Sequence, residues 1–258
     1  YPLRRQRQMC IRDRGNTTSI FQFESEEIKK YLRDLNPENL EDLCFMAAAY
    51  RPGPMKYIPE YIACKHGKKE PEYLIPELEP ILSKTYGFAI YQEQVIRIAV
   101  DIAGYTMGEA DILRRAMGKK IAEVMKSEEE RFVQGCVKQG YKESIGRKLF
   151  EFMMPFADYG FNKSHSAGYA VIAYWNAYLK AHYPMEYMCA RLTAVMDMPD
   201  KLTVALEEAK HLKIPILPPD INLSYAEFRP EGENSIRFGL DGIKNVGSNV
   251  VKELIEYR

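Results

Sequence analysis

Apolar residues recur three and four positions apart through most of this chain, so its pattern reads as a succession of helices. Gln92 to Ala103 places Val95, Ile98, Ala99 and Ile102 on one face. Gly104 suits the end of that helix, and Thr106 stands three residues before Glu109, the spacing of a capping box. Ile112, Leu113, Ala116 and Met117 then fall on one side of the next helix. Upstream, Ser25 is placed to cap a helix running to Leu35. Pro37 lies in the first turn of another, Glu38 to Tyr50, with Leu40, Leu43, Cys44 and Ala47 as its face. Met55 to Gly67 turns Tyr57, Ile58, Tyr61 and Ile62 inward. Further helices are expected at 121–139, with Val124, Phe132 and Val133 inward, and at 144–156, 167–182, 186–193, 202–212 and 249–257. The helix from Ala167 to His182 is apolar and aromatic all round, which reads as core. Strand signals are sparse. Ser19 to Phe23 alternates, Tyr86 to Tyr91 reads as a short strand or turn, and Ala226–Arg229 faces Ser235–Gly239 across Pro230–Asn234. The fold class is therefore mainly α, a multi-helix domain with a small β element near the C-terminus.

The breakers divide this pattern. Arg51-Pro-Gly-Pro54 forces a rigid turn that presents Arg51. Residues 68–80 read as a connecting loop, and Lys213 to Pro219 as an extended connector and the best internal boundary. Ala157 to Ser166 is a polar loop in which Ser164 or Ser166 can cap the following helix. Free N–H groups at that helix start, beside Asn162 and Lys163, suit a phosphate or a base. His165 in the same loop reads as structural or as a ligand contact. The first fourteen residues differ from the rest: five arginines, one aspartate and no apolar face. They read as a foreign or disordered segment, or as a basic arm.

Charge sharpens one stretch only. Thirty-six basic residues balance thirty-six acidic ones, so no global field draws the chain to a polyanion. Between Asp111 and Lys126, however, Arg114, Arg115, Lys119, Lys120 and Lys126 oppose Asp111 and Glu123, a local net of +3. Guanidinium forks beside lysines suit a ligand with several phosphate oxygens, while a solvated helix face is the plain alternative. The five cysteines are scattered without a Cys-x-x-Cys pair and read as reduced thiols of a cytoplasmic protein. Cys64 and His66 alone do not make a zinc site. No apolar run reaches membrane-spanning length. There is no P-loop, no Gly-x-Ser-x-Gly and no aspartate pair on a strand to hold two metals. Chemistry alone thus describes a helical module for a polyphosphate or nucleic-acid ligand, without a complete catalytic centre.

Seven ordered motifs carry a resemblance: Phe21-Gln-Phe-Glu-Ser25, Arg51-Pro-Gly-Pro-Met55, Thr85-Tyr-Gly-Phe-Ala-Ile-Tyr-Gln-Glu-Gln94, Ala103-Gly-Tyr-Thr106, Ala110-Asp-Ile-Leu-Arg-Arg-Ala-Met-Gly-Lys-Lys120, Tyr159-Gly-Phe-Asn-Lys-Ser-His165 and Leu179-Lys-Ala-His-Tyr-Pro184. From about Gly15 onward the chain resembles the alpha subunits of bacterial DNA polymerase III, the C family of DNA polymerases. The resemblance implies an end of the palm or palm–fingers junction over 15–36 and a fingers domain over 37–215. It implies a small β element and the start of a truncated helix-hairpin-helix region over 216–258. It further implies that Arg114, Arg115, Lys119 and Lys120 face the triphosphate of the incoming dNTP. Tyr159, Asn162, Lys163 and His165 would line the nascent base pair or the phosphates, with Arg51, Tyr86 and Gln92 nearby. Lys244 and Gly247 would contact duplex DNA. The implied activity is DNA-directed DNA synthesis with Mg2+, the metal being held by palm aspartates upstream. The implied partners are primer–template DNA, dNTP and holoenzyme subunits including the sliding clamp, with no membrane.

Other readings are a non-catalytic module that tracks the DNA backbone, an interaction scaffold built on the aromatic helix, and an error-prone paralogue. On the polymerase reading this segment binds but does not catalyse by itself.

Overall fold

A computed structural model describes residues 15–119 and 122–258, the side chains of 118–124 and 157–159 excepted. The described residues divide into two compact units, one within 30–171, the other made of 15–29 together with 172–258. The architecture is mainly helical.

In the first unit, α1 (Glu26–Leu35) enters from the boundary and is followed by α2 (Leu40–Ala49), a 3-10 turn (Pro54–Tyr57), α3 (Ile58–Lys65) and the short α4 (Glu79–Leu82). Four longer helices then pack on one another: α5 (Gln92–Ala103), α6 (Met107–Lys119), α7 (Ala122–Lys138) and α8 (Glu143–Tyr159). Their core holds Val95, Ile98, Leu113, Met117, Phe132, Val133, Leu149 and Met153. Gly135 lets α7 approach α5 closely, since a Cβ there would lie 2.4 Å from the carbonyl oxygen of Ala103. Around α2 the core is aromatic, with Phe45 stacked on Tyr61.

Several expectations are corrected here. The helix expected from Glu38 begins instead at Leu40, because Asn39 accepts the Asp42 N–H and Asp42 closes a capping box. Its buried face is Cys44, Phe45, Met46, Ala48 and Ala49, and Leu40 is exposed. Ile112 is 58% exposed, so the apolar side of α6 is Ala110, Leu113 and Met117. Within 68–80 the chain makes a 3-10 turn at Pro76–Leu78 before α4. Tyr86 and Gly87 form a turn with Tyr86 at φ 50°, residues 88–90 have no regular structure, and Tyr91 forms an isolated bridge to Phe161. The loop at 157–166 shrinks to three residues, because α8 runs on to Tyr159 and α9 (Lys163–His182) starts early. Asn162, rather than either serine, caps α9: its Oδ1 accepts the His165 N–H at 3.0 Å.

The second unit contains the last part of α9, then α10 (Pro184–Val195), α11 (Pro199–His211), β1 (Ile216–Leu217), β2 (Arg229–Glu231), β3 (Ser235–Arg237) and α12 (Ser248–Tyr257). The sheet order is β1-β3-β2, with β1 parallel and β2 antiparallel to β3. Part of the expected connector, Ile216–Leu217, thus becomes a strand. Met188, Leu192, Ala205, Ala209, Phe228 and Ile236 fill the core between α10, α11 and the sheet. Ser19 to Phe23 is a pair of turns rather than a strand, with Ser19 and Gln22 left-handed; Ile20 and Phe23 are buried while Phe21 is exposed. The aromatic segment of α9 is not core: Ile172, Tyr174 and Leu179 are exposed, and Trp175 is 60% exposed. What α9 buries here is Ala173 and Lys180.

Candidate functional site

The residues that open α5 fasten the residues that open α9. Phe161 donates its N–H to the Ile90 carbonyl at 3.0 Å, and Gln92 donates its own to the Phe161 carbonyl at 3.0 Å. One step further, both carboxylate oxygens of Glu93 accept the Lys163 N–H, at 3.0 and 3.1 Å. The anchoring segment is itself fixed. Buried Gln94 accepts the Tyr91 N–H at 3.0 Å and donates to Thr85 Oγ1 at 2.7 Å and to the Ile81 carbonyl at 3.3 Å. Gly160 makes the approach sterically possible, since a Cβ there would stand 2.6 Å from the Phe156 carbonyl oxygen and 3.1 Å from Gln92 Cγ.

Above this frame the side chains form an ordered column. The Arg51 guanidinium sits 4.5 Å from the Phe161 ring centre. Phe161 meets the His165 ring at 5.4 Å, and His165 meets Tyr169 at 4.3 Å, following the i, i+4 ladder of a helix face. Burial lowers the pKa of Arg51 from its ordinary value, though a guanidinium keeps its proton in proteins. Lys163 Nζ pairs with Glu41 at 3.1 Å and lies 5.4 Å from the Tyr91 ring centre. Asn162, Ser164, His165 and Gly168 are exposed. The result is an open polar edge on a rigid base. Rings and an imidazole can stack a planar base, an amide can hydrogen-bond it, and two cations stand beside it. The buried thiol of Cys44, nearby, is pushed up to about 11, chiefly by burial, so it is no nucleophile at neutral pH.

Arg114 and Arg115 belong to a second group. One carboxylate, Asp111, holds both: Arg114 reaches Oδ1 through Nε at 3.0 Å and Nη2 at 2.9 Å, and Arg115 reaches Oδ2 at 2.6 Å. These arginines, Arg114 first, hold the Asp111 carboxyl below the usual range. The capping box at the start of α6 is present: Glu109 accepts the Thr106 N–H at 2.9 Å and also binds Arg131. The side chains of Lys119 and Tyr159, and Lys120 as a whole, lie outside the described residues.

Two expected contacts fall elsewhere. Tyr86 packs edge-on against Tyr61 and lines a pocket of about 280 Å³ whose walls include Glu60, Glu70 and Glu72, a poor setting for phosphate. The N–H groups of Lys163 and His165, expected to be free for phosphate, are taken by Glu93 and Asn162. In the second unit, Lys244 is exposed and precedes Asn245 at φ 69°. Gly247 begins α12 with its carbonyl accepting the Val251 N–H, and open space surrounds its Cα.

The family model for the bacterial DNA polymerase III alpha subunit finger domain matches residues 2–140. The chain belongs to this family. A helix-hairpin-helix motif matches residues 213–258. The DNA polymerase III subunit alpha of Borreliella burgdorferi is 48% identical over 244 residues, covering 95% of this chain and 21% of that protein. The protein of the same name from Halalkalibacterium halodurans is 45% identical over 257 residues, covering 100% and 23%. That of Thermus aquaticus is 46% identical over 250 residues, covering 95% and 20%. The chain therefore spans about a fifth of the length of the curated relatives it matches. Residues 2–14, set apart by composition, lie inside the matched span.

Sequence reasoning gave Glu93, Glu41, Phe161 and Tyr169 no role at this site. A glutamate in the first turn of a helix looks like an ordinary dipole complement, and its partner here is 70 residues away. Among the described residues no three His, Cys, Asp or Glu side chains stand together as a metal cradle, and no helix is long and apolar enough to cross a membrane.

Proposed function

We propose that this chain is the nucleotide-closing fingers portion of a bacterial DNA-directed DNA polymerase, with 37–215 as fingers and 216–258 as the β element and the start of a helix-hairpin-helix region. The observation that carries the reading is the ordered edge of α9, where Arg51, Phe161, His165 and Tyr169 stack and Lys163 stands beside them. An incoming dNTP meets planar groups for its base and cations for its phosphates there. Asn162, Lys163 and His165 are its nearest contacts, with Arg51 supporting the column through Phe161 and Gln92 anchoring it through the backbone. Arg114 and Arg115, with Lys119 and Lys120, face the triphosphate, where they offset the charge on the leaving pyrophosphate. Lys244 and Gly247 contact the backbone of duplex DNA. Mg2+ belongs to the reaction, but the described side chains offer it no cradle; its ligands are palm aspartates. Primer–template DNA, dNTP, the sliding clamp and other holoenzyme subunits are the partners, in the cytoplasm.

The test is steady-state kinetics of the full-length polymerase at saturating primer–template. Lys163→Ala and Arg114→Ala should each lower nucleotide efficiency on the order of tenfold or more, because a charge-assisted contact is worth about 1.5–3 kcal/mol. Normal nucleotide efficiency together with weakened, strongly salt-dependent DNA binding would replace this reading with a backbone-tracking module.

A further inference from the structure

We infer that Glu93 is a positioning residue for nucleotide use: its carboxylate occupies the N-terminus of α9 and thereby sets where Lys163 and His165 stand. The inference rests on the function proposed above. The first N–H groups of a helix lack intrahelical partners, and an anion there also meets the positive end of the helix dipole. In this chain the anion is built in. Glu93 accepts the Lys163 N–H with both oxygens, which fixes direction as well as distance.

The three contacts from 90–93 to 161–163 run in register along two short backbones, ending at Glu93. They hold the chain immediately before the two residues that matter. Lys163 Nζ must point to Glu41 at 3.1 Å, and the His165 ring must stand between Phe161 and Tyr169. A shift of the helix start disturbs both together, because they leave the same turn. It also follows that the backbone at this helix start is closed to phosphate at Lys163 and at His165, whose N–H goes to Asn162. The cation that this helix start offers to phosphate is the Lys163 side chain, and Glu93 determines its place without touching the nucleotide.

The test uses the full-length polymerase with Glu93→Ala, Glu93→Gln, Lys163→Ala and the double variant Glu93→Ala/Lys163→Ala. Nucleotide kcat/KM is measured at saturating primer–template, with primer–template affinity and thermal midpoint measured in parallel. Glu93→Ala should lower nucleotide kcat/KM about 10- to 100-fold, the loss expected from a small misplacement of contact groups. DNA affinity should stay unchanged. Glu93→Gln, which keeps one carbonyl acceptor but loses the second acceptor and the charge, should recover only part of the loss, and it carries the test if the alanine variant folds poorly. The double variant should be worse than Lys163→Ala alone by clearly less than the full Glu93→Ala factor, since only the loss through His165 then remains. Additive losses overturn the inference, because Glu93 would then act elsewhere. A lowered thermal midpoint with normal kinetics in both Glu93 variants also overturns it. If Lys163→Ala is impaired and the Glu93 variants are not, the inference fails and the proposed function stands. If Lys163→Ala itself keeps normal nucleotide efficiency, the proposed function fails first.

Discussion

Replacing Lys180 with methionine should cost this chain about 3–5 kcal/mol of stability, the range for breaking a buried ion pair from one side. Lys180 Nζ is 2.7 Å from Glu208 Oε1, and the two side chains are 4% and 6% exposed. The same ammonium donates to the Thr18 carbonyl at 2.8 Å, to Asn16 Oδ1 at 3.2 Å and to the Asn16 carbonyl at 3.3 Å. It therefore ties the N-terminal strip to α9 and α11 within one unit. Burial lowers the Lys180 pKa, and Glu208 opposes that shift. Methionine matches the volume but removes every donated bond. It leaves Glu208 charged and unpaired, with the Thr18 and Asn16 oxygens unsatisfied. Glu208→Leu added to Lys180→Met should return part of the loss, since the stranded charge is gone. It should not return all of it, because the half-buried Thr18 and Asn16 acceptors still lose their donor, at up to about 1–3 kcal/mol each. Urea denaturation of the wild type, both single variants and the double variant measures this, provided the slope with denaturant is unchanged. A loss below about 1 kcal/mol for Lys180→Met, the scale of an exposed pair, would refute the reasoning. So would a double variant as unstable as the sum of the singles.

Two further outcomes follow from the geometry. Gly160→Ala places a Cβ 2.6 Å from a backbone carbonyl oxygen, so about 1–3 kcal/mol of stability should be lost along with nucleotide efficiency; an unchanged thermal midpoint would show that the bridge at Phe161 tolerates a shift. Asp111 has a folded pKa below its unfolded one, so its contribution is present above about pH 4 and is lost as pH falls through the folded value. The stability gap between wild type and Asp111→Asn should thus be constant near neutral pH and close in acid, and thermal midpoints that differ equally at pH 7 and pH 2.5 would contradict this.

Helix positions were legible where local chemistry decides them. Gln92 to Ala103 and the Thr106–Glu109 box are set by residues within one turn, and both stand as the pattern implies. The start of α9 was less legible, because Ser164, Ser166 and Asn162 are all good caps and only the bridge to 90–92 selects Asn162. The aromatic segment of α9 misled for a different reason. Periodicity reports which residues can be buried, not which face finds a neighbour, and here Tyr174 and Trp175 stay outside while a lysine goes in. Lys180 could be buried only because Glu208, from another helix, accompanies it, and no local pattern encodes that pairing. The candidate site divides likewise. Asn162, Lys163 and His165 were visible as a motif, whereas Glu93, Glu41 and Phe161 matter through partners up to 122 residues away.

On the function proposed above, the pairing of charges also explains how a chain of zero net charge can serve a polyanionic ligand. Asp111 holds Arg114 and Arg115, Glu41 holds Lys163, and Glu208 holds Lys180. Exposure separates these pairs. Arg115 is 68% exposed and Lys163 35%, so their pairs are worth at most about 1 kcal/mol. A phosphate contact worth about 1.5–3 kcal/mol can displace such a carboxylate without loss. Lys180, desolvated beside Glu208, cannot make that exchange, because leaving would strand a buried charge. The exposed pairs therefore keep their cations oriented and available, while the buried pair keeps its cation for the fold. On the proposed function, the cations that meet the ligand are those whose carboxylate partners are themselves wet.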